Sequence, residues 1–200
     1  EEWKANLQVV KTKTPKIVIE NYSTIHKECL RRKDNDDKNI LFLGFITELK
    51  GCFDIPEIAK KVIEQDNNVK FILAGSGEVE SLQKILSARG IAQYFLFPGW
   101  VKKEEKENLL KSADFFFLPS YTEAMPMSIL EAMGYGLPIV TTNVGGIPQL
   151  VEEGKNGYMI EPGNIAGFVN AILALVKNDD LVYNMGKRSI EKASGKYPLE

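Results

Sequence analysis

The chain has 200 residues, 44% hydrophobic and 26% charged, a composition ordinary for a soluble globular protein with one well-filled core. Its 25 basic and 27 acidic residues give a net charge of −2, which argues against a nucleic-acid partner. Two cysteines and one histidine (Cys29, Cys52 and His26) argue against a disulfide framework and against a Cys/His metal site. We expect His26 to be a surface residue.

The beginning of the chain differs from the rest. It starts without methionine, and its first fifteen residues do not fit the alternating pattern that follows. We therefore predict that residues 1–15 are a remnant of an upstream domain or linker and that residues 16–198 form one domain. The final Leu-Glu pair, 199–200, is interpreted as a cloning remnant.

Short apolar runs then alternate with helical patterns along the chain. A first strand or linker strand is predicted at 16–20, and buried strands are predicted at 40–45, 69–75, 94–99, 114–120, 138–142 and 157–162. Helices are predicted between them at about 55–63, 79–89, 103–112, 127–136, 148–154, 165–176 and 180–194, the sixth of them capped by Asn164. This alternation predicts an α/β fold, a Rossmann-like, doubly wound parallel sheet with helices on both faces.

Ligands of such sheets bind beyond the carboxyl ends of the strands. The loops predicted at that edge are 44–51, 75–78, 99–103, 120–128 and 143–148. Glycine-rich turns and a glutamate-containing loop therefore converge on one edge of the sheet, and this convergence predicts the ligand site. The charge run 102–107 beside it mixes both signs and is interpreted as solvated surface.

The individual glycine and lysine motifs at this edge are weak. The turn Gly75-Ser76-Gly77-Glu78 follows a strand, but Glu80 stands where a dinucleotide fingerprint has its third glycine. A tight strand-to-helix turn explains it equally well, and an oxidoreductase is disfavoured. No Walker A lysine motif is present, which argues against a phosphate-loop NTPase. Lys50 precedes a predicted helix, where a lysine can bind phosphate, although most loop lysines are merely solvated.

Residues 120–142 contain two glutamates that differ in their surroundings. Glu123 lies in a proline-marked turn, whereas Glu131 lies about one turn into an apolar helix pattern. Pro126 is predicted to be the first helical residue, so that the N–H groups of Met127 and Ser128 can face an anion. The carboxylates could accept hydrogen bonds from the vicinal hydroxyls of ribose or hexose. Spacing alone favours a plainer interpretation, in which Glu123 is a charged loop residue and Glu131 lies on the surface of the helix.

The ordered set of motifs resembles a known family. The segments ILFLGFITELKG, KFILAGSGE, FLFPGWV and PSYTEAMPMSILEAMGYGLPIVTTNVGGIPQLVEEGKNGYMIEPGN are similar to the carboxy-terminal half of retaining glycosyltransferases with the GT-B architecture, family four of that classification. The resemblance covers nearly the whole chain. It implies a domain that binds a nucleotide-sugar donor without a cofactor or metal.

The resemblance also implies a role for each matching residue. Glu123 would orient the donor sugar, Lys50 would bind the diphosphate, and Glu131 would accept from the ribose hydroxyls. Glu123 and Lys50 are thus the implied catalytic residues, and the further donor-binding residues are Gly44, Gly75, Gly77, Val101, Ala124, Met125, Met127 and Ser128. Family members often carry arginine where this chain has Phe45, so Lys50 and helix N-termini must neutralise more of the diphosphate charge.

The implied reaction is transfer of the sugar, with retention, to an acceptor hydroxyl. The acceptor, a sugar, a lipid carrier or a polysaccharide, would bind to an amino-terminal domain, so we expect this chain alone to bind donor weakly without turnover. Lys102 and Lys103 without a nearby carboxylate favour UDP over GDP. The full-length protein is expected in the cytoplasm or peripherally at the inner membrane face. A GT-B sugar-nucleotide epimerase and a non-catalytic sugar-nucleotide-binding module remain the alternatives, and Phe45 is the best support for the second.

Overall fold

The computed structural model describes residues 23–30 and 37–197, so the predicted strand at 16–20 and the predicted terminal segments 1–15 and 199–200 lie outside the described residues. Six parallel strands form one sheet: β1 (Lys38–Leu43), β2 (Val69–Ala74), β3 (Phe95–Gly99), β4 (Phe115–Leu118), β5 (Ile139–Thr142) and β6 (Gly157–Ile160). Their order, β3-β2-β1-β4-β5-β6, runs outward in both directions from the β1/β4 pair. The predicted doubly wound, Rossmann-like sheet is therefore confirmed.

Within the described residues, seven α-helices connect or follow these strands: α1 (Ile55–Ile63), α2 (Val79–Ala88), α3 (Lys103–Ser112), α4 (Met127–Gly134), α5 (Ile147–Leu150), α6 (Ile165–Val176) and α7 (Asp179–Lys196). Short 3-10 helices lie at Lys27–Cys29 and Ala92–Tyr94. Helix α1 packs against α6, and α4 packs against α7. In the described part of the chain, no helix combines the length and the apolar character needed to cross a membrane.

The core lies on both faces of the sheet. All four residues of β4, Phe115 to Leu118, are at most 1% exposed. Because successive side chains of a strand point to opposite faces, this continuous burial means that helices cover the sheet on both sides. The uninterrupted apolar runs of the sequence arise from that double coverage. Each buried phenylalanine contributes roughly 1.5–3 kcal/mol by removal from water.

Most helix signals in the sequence are confirmed, and several boundaries are wrong. Asn164 caps α6, because its side chain accepts a hydrogen bond of 3.0 Å from the N–H of Gly167. Pro126, predicted as the first residue of α4, lies outside it with an extended backbone (ψ 116°), and the helix begins at Met127. The predicted 148–154 helix ends at Leu150 because the chain becomes extended at Val151 (ψ 137°).

Glu152 links the loop before β6 to α7, and this link predicts a dependence of stability on pH. Hydrogen bonds from Lys192 (2.7 Å) and Lys155 (2.9 Å) lower the pKa of Glu152 from 4.5 to about 2. Because the pKa is lower in the folded state, the stabilisation is present above pH 4.5 and is lost as the pH falls toward 2.

We expect Glu152→Gln to lower the free energy of unfolding at pH 7 by less than about 1 kcal/mol, since the side chain is 44% exposed and its charge is screened by solvent. Near pH 2 the variant and the wild type should unfold at the same urea concentration. A difference that persists undiminished at pH 2 would show that the charge of Glu152 is not responsible.

Candidate functional site

The loops after β1 and β2 interlock at the carboxyl edge of the sheet. Ile46 donates its N–H to the carbonyl of Ser76 at 2.8 Å and forms a parallel bridge with Gly77. A Cβ atom on Gly75 would lie 1.7 Å from the carbonyl oxygen of Gly44, so only glycine permits this approach. Three glycines predicted to line the site, Gly44, Gly75 and Gly77, are therefore brought together by backbone contact.

The loops after β1 and β4 meet where the strand order reverses. The N–H of Tyr121 donates to the carbonyl of Leu49 at 2.9 Å. Gly51, with φ at +69°, lies so close to Pro119 that a Cβ atom would come within 2.0 Å of the Pro119 carbonyl oxygen. In doubly wound sheets the ligand crevice opens at this reversal. The position of Lys50, directly before Gly51, is thereby set beside the loop that carries Glu123.

Lys50 and Glu123, the two predicted catalytic residues, are in direct contact. Lys50 Nζ lies 2.5 Å from Glu123 Oε1, and the Glu123 side chain is only 7% exposed. Ser120 Oγ donates to the same carboxylate oxygen at 2.8 Å. The carbonyl of this fully buried serine accepts a 2.7 Å bond from Thr142 Oγ1 on β5. A nearly buried carboxylate is thus fixed by one cation and one hydroxyl.

Ser120 is a site residue that was not among the predicted ones. It comes three residues before Glu123, directly after β4, and a serine that close to a glutamate in a turn is a readable local signal. Thr142 gives no such signal, because its contact with Ser120 depends on the pairing of β4 with β5.

Two adjacent glycines support the Glu123 loop from behind. A Cβ atom on Gly145 would lie 1.6 Å from the Glu123 carbonyl oxygen, and one on Gly146 would lie 2.1 Å from that of Ala124. Gly145 also has φ at +57°, in the left-handed region. The loop 143–148 therefore joins the ligand edge as predicted, and it sets the path of the backbone at Glu123.

Glu131 lies one turn into α4 and is paired with a residue of the neighbouring helix. Lys106 Nζ, on α3, lies 2.6 Å from Glu131 Oε1, with side chains 34% and 29% exposed. The interpretation of 102–107 as plain solvated surface is wrong for Lys106, which is half-buried against this carboxylate. Its partner lies 25 positions away, so no local pattern in α3 indicates the contact.

A cavity of about 350 Å³ opens beside Glu131, between α3, α4 and the segment 23–26. His26 forms one wall. Its ring stacks on Tyr135 with centroids 4.1 Å apart, and its backbone N–H donates to the Gly134 carbonyl at 2.8 Å. His26 is therefore half-buried, and its prediction as a surface residue is wrong. Burial raises the pKa of Tyr135 to about 12.

The remaining predicted donor-binding residues lie around this edge. Val101 follows β3 and is partly buried, Met127 begins α4 with an exposed side chain, and Ser128 follows it. Ala124 and Met125 lie in the Glu123 loop, packed against Gly146. The structure thus places all eleven predicted residues on the loops and helix ends of one edge, while their roles toward a donor stay predictions.

Phe45, at the position where arginine was expected from the resemblance, lies on the surface. Its side chain is 55% exposed and contacts the ring of Trp100, itself 68% exposed, at a centroid distance of 5.7 Å. The edge loops 44–51, 75–78, 99–103, 120–128 and 143–148 contain no arginine. Lys50 is therefore the cation that contacts Glu123.

A buried cysteine also lies near this edge. Burial raises the pKa of the Cys52 thiol to about 12, so this cysteine, two residues from Lys50, is not a nucleophile at neutral pH. Within 23–30 and 37–197, no three His, Cys, Asp or Glu side chains are grouped closely enough to hold a metal ion.

Sequence comparison assigns the family. The model of the family described as "Glycosyl transferases group 1" matches residues 9–192. The chain belongs to this family. An uncharacterized glycosyltransferase of Methanocaldococcus jannaschii is 31% identical over 160 residues, which are 78% of this chain and 41% of that protein. The UDP-Gal:alpha-D-GlcNAc-diphosphoundecaprenol alpha-1,3-galactosyltransferase of Escherichia coli is 36% identical over 149 residues, which are 72% of this chain and 37% of that enzyme.

Structural comparison agrees with the group 1 assignment. A mutant of S. aureus TarM, solved in complex with fondaparinux, alpha-GlcNAc-glycerol and UDP, superposes with a TM-score of 0.81 and 23% identity. The match covers 98% of this chain and 40% of TarM. The fold is that of the carboxy-terminal domain of a GT-B glycosyltransferase, and the chain spans about two fifths of the length of these relatives.

Proposed function

We propose that this chain is the donor-binding domain of a retaining glycosyltransferase and that it binds a UDP-sugar. The observation that carries the proposal is the Lys50–Glu123 pair, held at the point where the strand order reverses, with Glu131 one turn into the helix that follows. A cation, a nearly buried carboxylate and a helix N-terminus are thereby concentrated in the crevice where this class of sheet binds its ligand.

The charge that develops during transfer falls on the departing diphosphate. Lys50 and the N-terminus of α4 are the groups available to neutralise it. The first helical hydrogen bond is made by Ile129 to the Pro126 carbonyl at 3.2 Å, so the N–H groups of Met127 and Ser128 precede it and can donate to phosphate. Lys50 would then divide its hydrogen bonds between the diphosphate and Glu123.

Glu123 would act on the donor sugar. Its Oε1 already accepts from Lys50 and Ser120, whereas Oε2 accepts no hydrogen bond from a described residue and is left for the hydroxyls of a hexose. As the bond between the anomeric carbon and the diphosphate oxygen breaks, that carbon develops positive charge. The acceptor hydroxyl attacks it from the same face with retention, and its proton passes to the departing diphosphate. The acceptor site would lie on an amino-terminal domain, since the relatives are more than twice as long as the matched part. The isolated chain should therefore bind donor without turnover.

The choice of UDP rests on the E. coli relative, whose name states a UDP-Gal donor. Lys102 and Lys103 do not favour uridine, because the carboxylate of Glu107 lines the same cavity as Lys103. GDP is therefore the competing nucleotide in any test. The same relative has a diphosphoundecaprenol-linked acceptor in its name, which supports a lipid-carrier acceptor and a place at the cytoplasmic face of the membrane for the full-length protein.

A non-catalytic donor-binding module is the second candidate. Phe45 favours it, because an exposed aromatic ring replaces the second cation that would bind the diphosphate. The two candidates make the same prediction for nucleotide binding by this chain, and only turnover by the full-length protein separates them.

The test is the stability of the chain with UDP, GDP and no nucleotide, beside Glu131→Ala. A ligand at one hundred times its dissociation constant should stabilise the folded state by roughly 2.7 kcal/mol. We expect this shift with UDP, not with GDP, and its loss in Glu131→Ala. Glu104→Ala is the matched control, because Glu104 is an exposed carboxylate on the neighbouring α3. No shift of the wild type with either nucleotide would contradict the proposal.

A further inference from the structure

The Lys106–Glu131 pair differs from the ordinary ion pairs of this protein. Three of the other pairs among the described residues join residues of one helix three or four positions apart, such as Lys111 and Glu107 at 3.9 Å. Lys106 and Glu131 instead connect α3 to α4 at 2.6 Å, and both line the 350 Å³ cavity. Exposed ion pairs within one helix contribute little to the stability of the fold. A charged hydrogen bond between two helices at a cavity instead fixes the direction in which the carboxylate points.

The geometry leaves part of the Glu131 carboxylate free for a ligand. An ionised carboxylate offers about four acceptor positions on its two oxygens. Lys106 occupies one of them on Oε1, and Oε2 accepts no hydrogen bond from any residue that the structure describes. Two vicinal hydroxyls could therefore bind Glu131 while Lys106 stays in place. The lysine is a support for such a ligand and does not block it.

We infer that Lys106 is a positioning residue of the nucleotide site: it holds the Glu131 carboxylate so that its free acceptor positions face the ribose diol in the cavity. The inference rests on the proposed function, because it takes the ligand to be a nucleoside diphosphate. Lys106 acts on the ribose through Glu131 and does not contact the diphosphate, which Lys50 and the N-terminus of α4 bind. The contribution of Lys106 to affinity should consequently depend on the ribose hydroxyls.

The experiment measures the dissociation constants of UDP, 2′-deoxy-UDP and 3′-deoxy-UDP for the wild type and for Lys106→Met. The wild type should bind UDP about tenfold more tightly than either deoxy analogue. Lys106→Met should bind UDP about fivefold more weakly than the wild type, and should bind the deoxy analogues as the wild type does. The preference for the intact ribose should thereby shrink in the variant.

Two further variants control for loss of charge and for misfolding. Lys111→Met removes a lysine from the same helix that lies outside the cavity, and its UDP affinity should equal that of the wild type. Lys106→Arg keeps a cation beside Glu131 and should retain most of the ribose preference. If Lys106→Met does not fold, the loss of ribose preference is measured in Lys106→Gln instead.

Three results would overturn the inference. Unchanged or tighter UDP binding by Lys106→Met would mean that the lysine is irrelevant or obstructs the diol. An equal loss of affinity for UDP and for the deoxy analogues would place Lys106 on the phosphate or the base. Failure of the wild type to bind any of the three nucleotides would remove the proposed function together with this inference, whereas the first two results leave the proposed function intact.

Discussion

Gly145→Ala is expected to destabilise the domain by about 2–4 kcal/mol, because two separate penalties act at this position. The backbone has φ at +57°, a conformation that alanine adopts only with strain. The added Cβ atom would also lie 1.6 Å from the Glu123 carbonyl oxygen, a distance that requires the backbone to move. Urea unfolding of the variant and the wild type measures the loss. The Glu123 loop should shift with it.

Gly195→Ala is the matched control for this substitution. Nothing lies within 4 Å of a Cβ atom at Gly195, which is near the end of α7 and exposed. Alanine should stabilise a helix there by up to about 1 kcal/mol. The two glycine substitutions are thus expected to act in opposite directions. A loss below about 0.5 kcal/mol in Gly145→Ala would show that the loop 143–148 does not constrain Glu123.

The strands of this fold could be predicted from the sequence because they are buried on both faces. A strand such as β4, whose sequence is FFFL, is a continuous apolar run, and it can be predicted without knowing which strands pair with it. The order of strand–helix units then limits the topology to a doubly wound sheet, and the rule for ligand sites in such sheets indicates the edge. The site residues Lys50, Glu123 and Glu131 follow from that edge together with the family resemblance.

The contacts within the site could not be predicted in the same way. The Lys50–Glu123 contact joins residues 73 positions apart, and the Lys106–Glu131 contact depends on how α3 and α4 lie against each other. A polar helix with mixed charges looks the same in sequence whether one of its lysines faces water or a cavity. The half-burial of His26 could not be predicted for a similar reason, since its stacking on Tyr135 depends on how the segment 23–26 lies against α4.

The two carboxylates of the edge are in different environments, and this difference fits different tasks. Glu123 is 7% exposed, has two donors on one oxygen, and is supported by a backbone that cannot move without displacing Gly145. Glu131 is 29% exposed, beside an open cavity, with a single lysine. A rigid carboxylate suits a group that orients a reacting sugar, whereas an accessible one suits reversible binding of a diol.

Lys50→Met should produce the second large effect, in both stability and UDP affinity. The substitution leaves the nearly buried Glu123 carboxylate without its cation and with only the Ser120 hydroxyl as donor. We expect the free energy of unfolding to fall by about 2–4 kcal/mol, less than for a fully buried pair because Lys50 is partly exposed. UDP affinity should fall by more than about tenfold, since the diphosphate loses its side-chain cation.

A double-mutant cycle with Glu123→Gln isolates the charge from the packing. In Lys50→Met/Glu123→Gln no charge is left buried, so the double variant should be more stable than Lys50→Met alone, although it differs from the wild type at two positions. Lys61→Met, which removes an exposed lysine paired with Glu57 on α1, should cost less than about 1 kcal/mol. If the double variant is no more stable than Lys50→Met, the loss arises from the lysine stem, and Glu123 does not depend on Lys50 for its charge. In that case, the UDP affinity of Lys50→Met would decide whether Lys50 acts in the donor site. An unchanged UDP affinity would show that Lys50 does not belong to the donor site.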